Sequence, residues 1–561
     1  MIDNKSGFDR HWQDFLLCFA MALAVFCVYF PAHHYPFADI DDDAYVYENA
    51  HITGPLNLDT LRFAFTQFYC DNFVPIDFLS HNIDVQLFGL NAGAHHDVNI
   101  LLHAVNAILL FWILKRATGY TARSWTVAAL FALHPINVEN VAWISERKTI
   151  LSTLFFLLAL AAYRWYAANP EFRRMGVVWL CYSAGLLAKP QIIAFPFVLL
   201  LWDYWPLRRL GSYREDAGIV PGIAPLPLQK LPALLSEKLL LFATALADAV
   251  LTMHGEKGAR SILDLPLYIR LGNAVRSYAI YIEKAFWPNH LNLMNLHPGY
   301  LLPWGQVACA LVLLLAVSTL VIVKRDYRYL AVGWVWFLGT MAPTIGIVQF
   351  QVQAWADRYA YIAYIGLFIM CCWGIAEFAA RRPVLRPIVS VAGLMILVAL
   401  SVATRKQVEV WRDRVSLWTR VLEFSPMHRN WIAESRLGDY YFLQNDGRQA
   451  LVYYLRAAED RPGDFLILAK LGQAEHKQGH LDRALSYYRK AIAASRDHDV
   501  DPKFLAQVLA NIGHIYDRLG DPGTALQYYR SAQQVSASIP GQGPRSRMIP
   551  LRTKRLPDAP S

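Results

Sequence analysis

Three carboxylates in a row, Asp41, Asp42 and Asp43, follow closely on the first strongly apolar stretch of the chain. Adjacent carboxylates repel one another, which raises one of their pKa values. Such a set can act as general base toward an acceptor hydroxyl or as ligands of a divalent cation. The plain alternative is a solvated, N-capping acidic turn before Tyr45. Three more groups of charge interrupt apolar sequence. In HPINVENVAWISERK an apolar run stops at His134-Pro135, and Glu139, Glu146, Arg147 and Lys148 follow. Lys189 lies between two apolar runs with no acid near it, and Asp357, Arg358 and Tyr359 open a late apolar helix. Singly, each cation reads as a snorkelling or ion-paired residue. Together, Arg147, Lys148, Lys189 and Arg358 could hold a phosphate or pyrophosphate at a lipid surface. The histidines give no metal pattern: His95 and His96 are adjacent and cannot face one side of a helix, so no metal site is expected. His96 and His103 read equally as hydroxyl-orienting or as packing residues.

The elements that must position these groups are membrane helices. Of the 561 residues, 55% are hydrophobic and 13% aromatic, more than a soluble domain of this size carries. Apolar runs of near-bilayer length fall at about 15–31, 97–116, 125–138, 149–168, 175–189, 191–206, 234–253, 304–323, 329–348, 359–380 and 387–404. The spacing therefore predicts about eleven spans. Basic residues gather in alternate loops, at Lys115/Arg116/Arg123, Arg164/Arg173/Arg174, Arg208/Arg209/Arg214, Lys324/Arg325/Arg328 and Arg381/Arg382/Arg386. By the positive-inside rule those loops are cytoplasmic, which puts loop 32–96 with the aspartates, the other charged motifs and everything after 404 on the opposite face. The segment 265–287 is long enough to span but carries Arg270, Arg276, Glu283 and Lys284, and reads as a partly inserted amphipathic helix. The first span reads as uncleaved, since no small-residue cleavage site closes it. The cysteines lie almost entirely in apolar runs and form no disulfide or zinc spacing.

Beyond 404 the chain is polar and carries an internal repeat. Leu437-Gly438, Tyr441, Ala450, Tyr454, Ala457 and Pro462 stand at tetratricopeptide offsets; Leu471-Gly472, Ala484, Tyr488 and Ala491 repeat them, as do Ile512-Gly513, Tyr516, Ala525, Tyr529 and Ala532 after an insertion near 496–502. Three domains are expected: a membrane domain over 1–404, a repeat domain over 405–537 with a preceding half-repeat, and a basic, disordered tail over 538–561. Peptide or protein binding is the expected use of the repeats. The net charge of +9 lies mostly after 404 without an aromatic-basic motif, so no nucleic-acid partner is expected.

The motifs DDDAYVYENAHI, LSHNIDVQLFGLNAGAHHDVNILLHAVNAILLF, HPINVENVAWISERK, AKPQIIAFPFVLLLWDYWPLRR, IEKAFWPNHLNLMN and ADRYAYI resemble bacterial members of the transmembrane and tetratricopeptide-repeat O-mannosyltransferase family. The resemblance implies an all-α, polytopic bundle of the C-type glycosyltransferase kind followed by the solenoid. It implies transfer of a sugar, mannose or another hexose, from a polyprenyl-phosphate donor to Ser or Thr hydroxyls of a protein acceptor. Asp42 and Asp43 match the family's acidic pair, with Asp41 just before it. Glu139, Arg147 and Lys148 match the charged positions of the histidine-proline block, Lys189 a lysine at the start of a span, and Asp357-Arg358-Tyr359 a late DRY-like motif. The resemblance implies an inverting reaction with Asp42 as the favoured base and the cations on the lipid phosphate; a divalent metal is not favoured. The chain departs from the pattern at Phe73-Val74-Pro75-Ile76, where Trp-His-Pro-Leu is usual, and at Pro190, where eukaryotic members have an acid.

Two other readings differ in acceptor or class: sugar transfer to a lipid or cell-surface glycan, and a non-catalytic membrane scaffold. The charges at the membrane surface favour catalysis, because a scaffold has no use for them. The expected location is a bacterial inner membrane, with active face and repeats periplasmic.

Overall fold

The computed structural model describes residues 3–38, 40–70, 72–210, 231–255, 265–348, 352–495 and 500–537. The tail 538–561 lies outside the described residues. The chain divides into two compact units, Met1–Leu417 and Trp418–Ser561.

The first unit is a bundle of helices: α1 (Asp3–Tyr29), α2 (Leu58–Thr66), α3 (Pro75–Phe88), α4 (Ala92–Thr118), α5 (Thr121–Leu133), α6 (Arg147–Ala168), α7 (Phe172–Ala188), α8 (Phe195–Tyr204), α9 (Leu239–Gly255), α10 (Leu267–Phe286), α11 (Trp304–Val323), α12 (Arg328–Met341), α13 (Ala360–Arg381) and α14 (Arg386–Glu409). Each of the eleven apolar runs is helical, but eleven full spans are not confirmed. Among the described residues six helical segments are long and apolar enough to cross a bilayer: His11–His34, Ala92–Thr118, Ile144–Ala168, Trp304–Val323, Asp357–Arg381 and Pro383–Glu409. The physical reason is length. With 13 residues α5 reaches about 20 Å, short of a hydrocarbon core of about 30 Å. The segments Ile144–Ala168 and Asp357–Arg381 are the most buried of the six, whereas Trp304–Val323 and Pro383–Glu409 keep most of their apolar surface outward. The charged motifs thus sit at the ends of the central helices.

Proline decides where those ends fall. His134 precedes Pro135 and takes an extended conformation that stops α5, because the proline ring excludes the helical region for the residue before it. Lys189 before Pro190 ends α7 in the same way. The chain therefore breaks at two charged motifs and leaves their side chains at helix termini. α10 is not among the six candidate spans. Its polar stripe faces inward: Asn273 Nδ2 donates to Ala354 O at 2.9 Å, Tyr281 Oη to Ala356 O at 2.7 Å, and Lys284 Nζ to Asp357 Oδ1 at 2.6 Å. A short antiparallel pairing of Asn295–Leu296 with Gln353–Trp355 ties the segment after α10 to the one that leads into Asp357.

The second unit holds α16 (Trp431–Leu443), α17 (Gly447–Asp460), α18 (Phe465–Lys477), α19 (Leu481–Ala494), α20 (Pro502–Arg518) and α21 (Pro522–Ala537), three helix pairs at the repeat boundaries, after α15 (Arg414–Phe424). The repeat's glycine has a steric cause. A Cβ at Gly472 would stand 2.6 Å from the Tyr488 ring, and equivalents at Gly438 and Gly513 would meet Tyr454 and Tyr529. Gly472→Ala is expected to cost about 1–3 kcal/mol through overpacking. Thermal unfolding of the repeat helices, followed by circular dichroism, checks this; an unchanged midpoint would show that the Tyr488 ring yields without cost.

Candidate active site

The acidic turn and the histidine-proline block, a hundred residues apart in sequence, are bonded to each other. Asp42 is completely buried. Its Oδ1 accepts from the backbone N–H of Ser145 at 2.9 Å and from the Ser145 hydroxyl, and its Oδ2 accepts from Ala38 N at 2.8 Å. The indole of Trp143 donates to Ile40 O at 2.8 Å beside them. Burial pushes Asp42 up to about 7, against the pull of the Ser145 and Ala38 hydrogen bonds. Asp41 takes a left-handed backbone at φ 63°, a conformation that aspartate tolerates better than most residues, and its side chain is exposed. Asp43 accepts from Ala44 N at 2.9 Å and begins a wide helical turn through Tyr47. The preference for Asp42 as base therefore meets an obstacle, since both its oxygens are engaged in holding Ser145 and Ala38. Asp41 is the most exposed of the three, and Asp43 is half-buried.

Ser145 is followed by the hub of the basic cluster. Glu146 Oε2 accepts from Lys189 Nζ at 2.8 Å and from Thr149 Oγ1 at 2.7 Å, while Oε1 stands 3.6 Å from Arg358 Nε and 3.8 Å from Lys148 Nζ. Arg358 also donates to Glu139 Oε1 at 2.6 Å. Three cations thus share these two carboxylates, and all five groups but Lys189 are buried. Among the described residues the Lys148 ammonium donates no hydrogen bond; it rests 4.3 Å from the centre of the Tyr45 ring, with Asp41 and Asp77 close enough to act on it electrostatically. An ammonium so placed has donors to give to an anion.

Other expected site residues go elsewhere. Arg147 is turned by its helix about 100° from Lys148 and donates to Asn99 Oδ1 at 2.7 Å, Ser80 Oγ at 3.1 Å and His95 O at 3.0 Å, with Asp84 Oδ2 at 2.5 Å. It fastens α3 and α4 to α6 and does not join the Glu146 cluster. His134 Nδ1 accepts from Ile136 N at 3.2 Å and so caps the break that it creates. His96 is buried against the backbone of Pro36, and His103 bonds Tyr361 and Ala132 O. Asp357 is held by Lys284 and by Asn292 N at 2.9 Å, which sets the turn that presents Arg358. Tyr359 stacks its ring against the Arg358 guanidinium and accepts at its carbonyl from Gln191.

Sequence reading passed over Ser145, Tyr45, Lys284 and Asp77. Asp77 is fully buried beside His81, with a closest approach of 3.6 Å, and neither carboxylate oxygen has a hydrogen-bond partner. Burial pushes it up to about 7, opposed by Lys148 and Arg147. The pattern Asp77-x-x-x-His81, one helical turn apart in α3, was the available signal. Asp42 and Asp77 carry a consequence for stability. Between the ordinary carboxylate range and about 7 these two groups hold protons in the folded chain that they release in the unfolded one, so what they contribute to stability falls as pH rises through that window, by about 1.4 kcal/mol per pH unit for each group. The share of Asp77 is isolated by comparing Asp77→Asn with the unaltered chain in thermal unfolding at pH 5 and pH 8: the difference is expected to shift in favour of the variant as pH rises, and a difference independent of pH would mean that the Asp77 carboxylate is solvated.

Comparison with known proteins covers parts of the chain. A family model described as tetratricopeptide repeat matches residues 464–538. The chain is 31% identical over 189 residues to the protein O-mannosyl-transferase TMTC2 of Mus musculus, 33% of this chain and 22% of that protein. It is 28% identical over 157 residues to the protein O-mannosyl-transferase Tmtc1 of Drosophila melanogaster, 28% of this chain and 18% of that protein. With the protein O-mannosyl-transferase TMTC1 of Homo sapiens it shares 37% identity over 90 residues, 16% of this chain and 10% of that protein. The chain therefore resembles these transferases while the match spans about a fifth or less of their length.

Proposed function

We propose that this membrane protein is a glycosyltransferase of the C type that moves a hexose from a polyprenyl-phosphate donor to a Ser or Thr hydroxyl of a protein acceptor. The observation that carries the reading is the Asp42–Ser145 contact. It joins the acidic turn to Glu146 and the three cations around it, so that a base and an anion site meet in one place. The similarity to protein O-mannosyl-transferases supports the reaction class.

In this reading the exposed carboxylate of Asp41 takes the proton of the acceptor hydroxyl as its oxygen attacks the anomeric carbon. The bond from that carbon to the phosphate oxygen breaks, the electron pair leaves with the lipid phosphate, and the anomeric configuration inverts. Charge grows on the departing phosphate, and Lys148, with Lys189 and Arg358 behind it, is the group that meets this charge. Asp42 is a positioning residue that fixes Asp41 relative to Ser145. Glu146 keeps Lys189 and Arg358 in place when no phosphate is bound. By the charge bias of the loops the site faces the periplasm of a bacterial inner membrane, and the repeats recruit the acceptor chain from the same compartment.

The test is transfer by the purified full-length chain from mannosyl and glucosyl polyprenyl phosphates to Ser/Thr peptides, with and without a chelator. Hexose-sized mass gains on the peptide are expected. Absence of transfer from every such donor, with the donors intact, would overturn the reading; transfer to a glycan alone would replace the acceptor.

A further inference from the structure

The loop between α1 and α4 contains one helix with an apolar face on each side. α2 is started by Asn57, whose side chain accepts from Thr60 N at 2.9 Å. Its inner face is Thr60, Phe63 and Ala64, and Ala64 packs in a small core with Tyr45, Val46, Phe78 and Ile144. Its outer face is Leu58, Leu61 and Phe65, a single stripe at helical spacing; these three and Phe68, just past the helix end, are exposed. Leu58 is 79% exposed, which no aqueous loop gains from. Asp59 and Arg62 flank the stripe, as polar residues flank the apolar face of a helix lying at an interface.

What covers this stripe follows from its neighbours. α9 carries its own outward row, Leu246, Val250 and Met253, and in its last turn His254, whose ring centre lies 6.2 Å from that of Phe68. α2 also packs against α3, at whose end Leu87, Phe88 and Leu90 are exposed immediately before α4, one of the six candidate spans, begins at Ala92. The exposed stripe of α2 thus stands beside two elements that carry exposed apolar side chains of their own, α3 and α9, and α3 leads directly into a candidate span.

We infer that α2 lies in the boundary between headgroups and acyl chains of the leaflet on the side of loop 32–96, with Leu58, Leu61, Phe65 and Phe68 dipped into lipid. The partner is the bilayer itself. Because the inner face of α2 packs in the same core as Tyr45, on whose ring Lys148 rests, the contact fixes the depth of the acidic turn and of Lys148 relative to the membrane. That consequence rests on the function proposed above: it holds the base and the anion site at the level where a lipid-linked phosphate lies.

The experiment uses the full-length chain in phosphatidylethanolamine/phosphatidylglycerol vesicles, with p-benzoylphenylalanine placed in turn at Leu61, at Phe65 and, as the control, at Asp59. After irradiation, mass spectrometry is expected to find phospholipid adducts at Leu61 and Phe65 and few at Asp59. Crosslinks to a second copy of the chain, or no lipid adducts at Leu61 and Phe65, would overturn the inference. The readout needs no activity, so it stands apart from the test of transfer. Leu61→Asp with Phe65→Asp is then expected to raise the donor KM more than it lowers kcat; unchanged KM would remove the depth-setting role and leave the lipid contact.

Discussion

Asp41→Asn is expected to lower transfer by about 10²–10⁴-fold, the range that a positioned general base supplies, while the chain folds as before. Asparagine is the clean replacement because it also tolerates the left-handed backbone at φ 63°, so the turn and the Asp42 contacts persist and only the proton acceptor is lost. The loss should fall on kcat with little change in donor KM. Asp42→Asn is expected to behave differently. Its amide nitrogen would face either Ala38 N–H or the two donors of Ser145, leaving a donor against a donor at a cost of about 1–3 kcal/mol, so the folded yield drops along with activity. Turnover by both variants, together with thermal unfolding, separates the roles. A stable, inactive Asp42→Asn beside an active Asp41→Asn would return the base to Asp42.

That division of labour among three adjacent aspartates shows where sequence stops informing. The run itself was legible, and so were the two proline breaks, because Pro135 and Pro190 act on their own neighbours. The tetratricopeptide repeats were legible because Gly472 and Tyr488 meet within one repeat. Which aspartate is accessible depends on the sign of one φ angle and on Ser145, more than a hundred positions away. The adjacent Arg147 and Lys148 looked equivalent as phosphate ligands, yet one helical step sends Arg147 into Asp84 and Asn99 and leaves Lys148 over Tyr45. Lys284 looked like an interfacial charge because its partner, Asp357, is 73 residues on. Long-range pairing of charge is invisible to periodicity, and here it decides the site.

The same pairing makes Glu146 the residue whose neutralisation should have the largest effect on the stability of the cluster. Glu146→Gln leaves Lys148, Lys189 and Arg358 with Glu139 as the remaining acid partner seen in the cluster, and breaking buried ion pairs from one side costs about 3–5 kcal/mol. A steric cause is excluded, since glutamine has the same shape and can still accept from Lys189 and Thr149. If these cations bind the donor phosphate, an anion can supply the missing charge. A polyprenyl phosphate or inorganic pyrophosphate at about a hundred times its dissociation constant returns about 2.7 kcal/mol, and it binds the variant more tightly because no internal carboxylate competes for the cations. Thermal unfolding should therefore show a low midpoint for Glu146→Gln and a larger ligand-induced rise than in the unaltered chain. Lys148→Met should show little ligand-induced rise at all. An equal rise in all three proteins would place the phosphate away from this cluster, whatever reaction the chain performs.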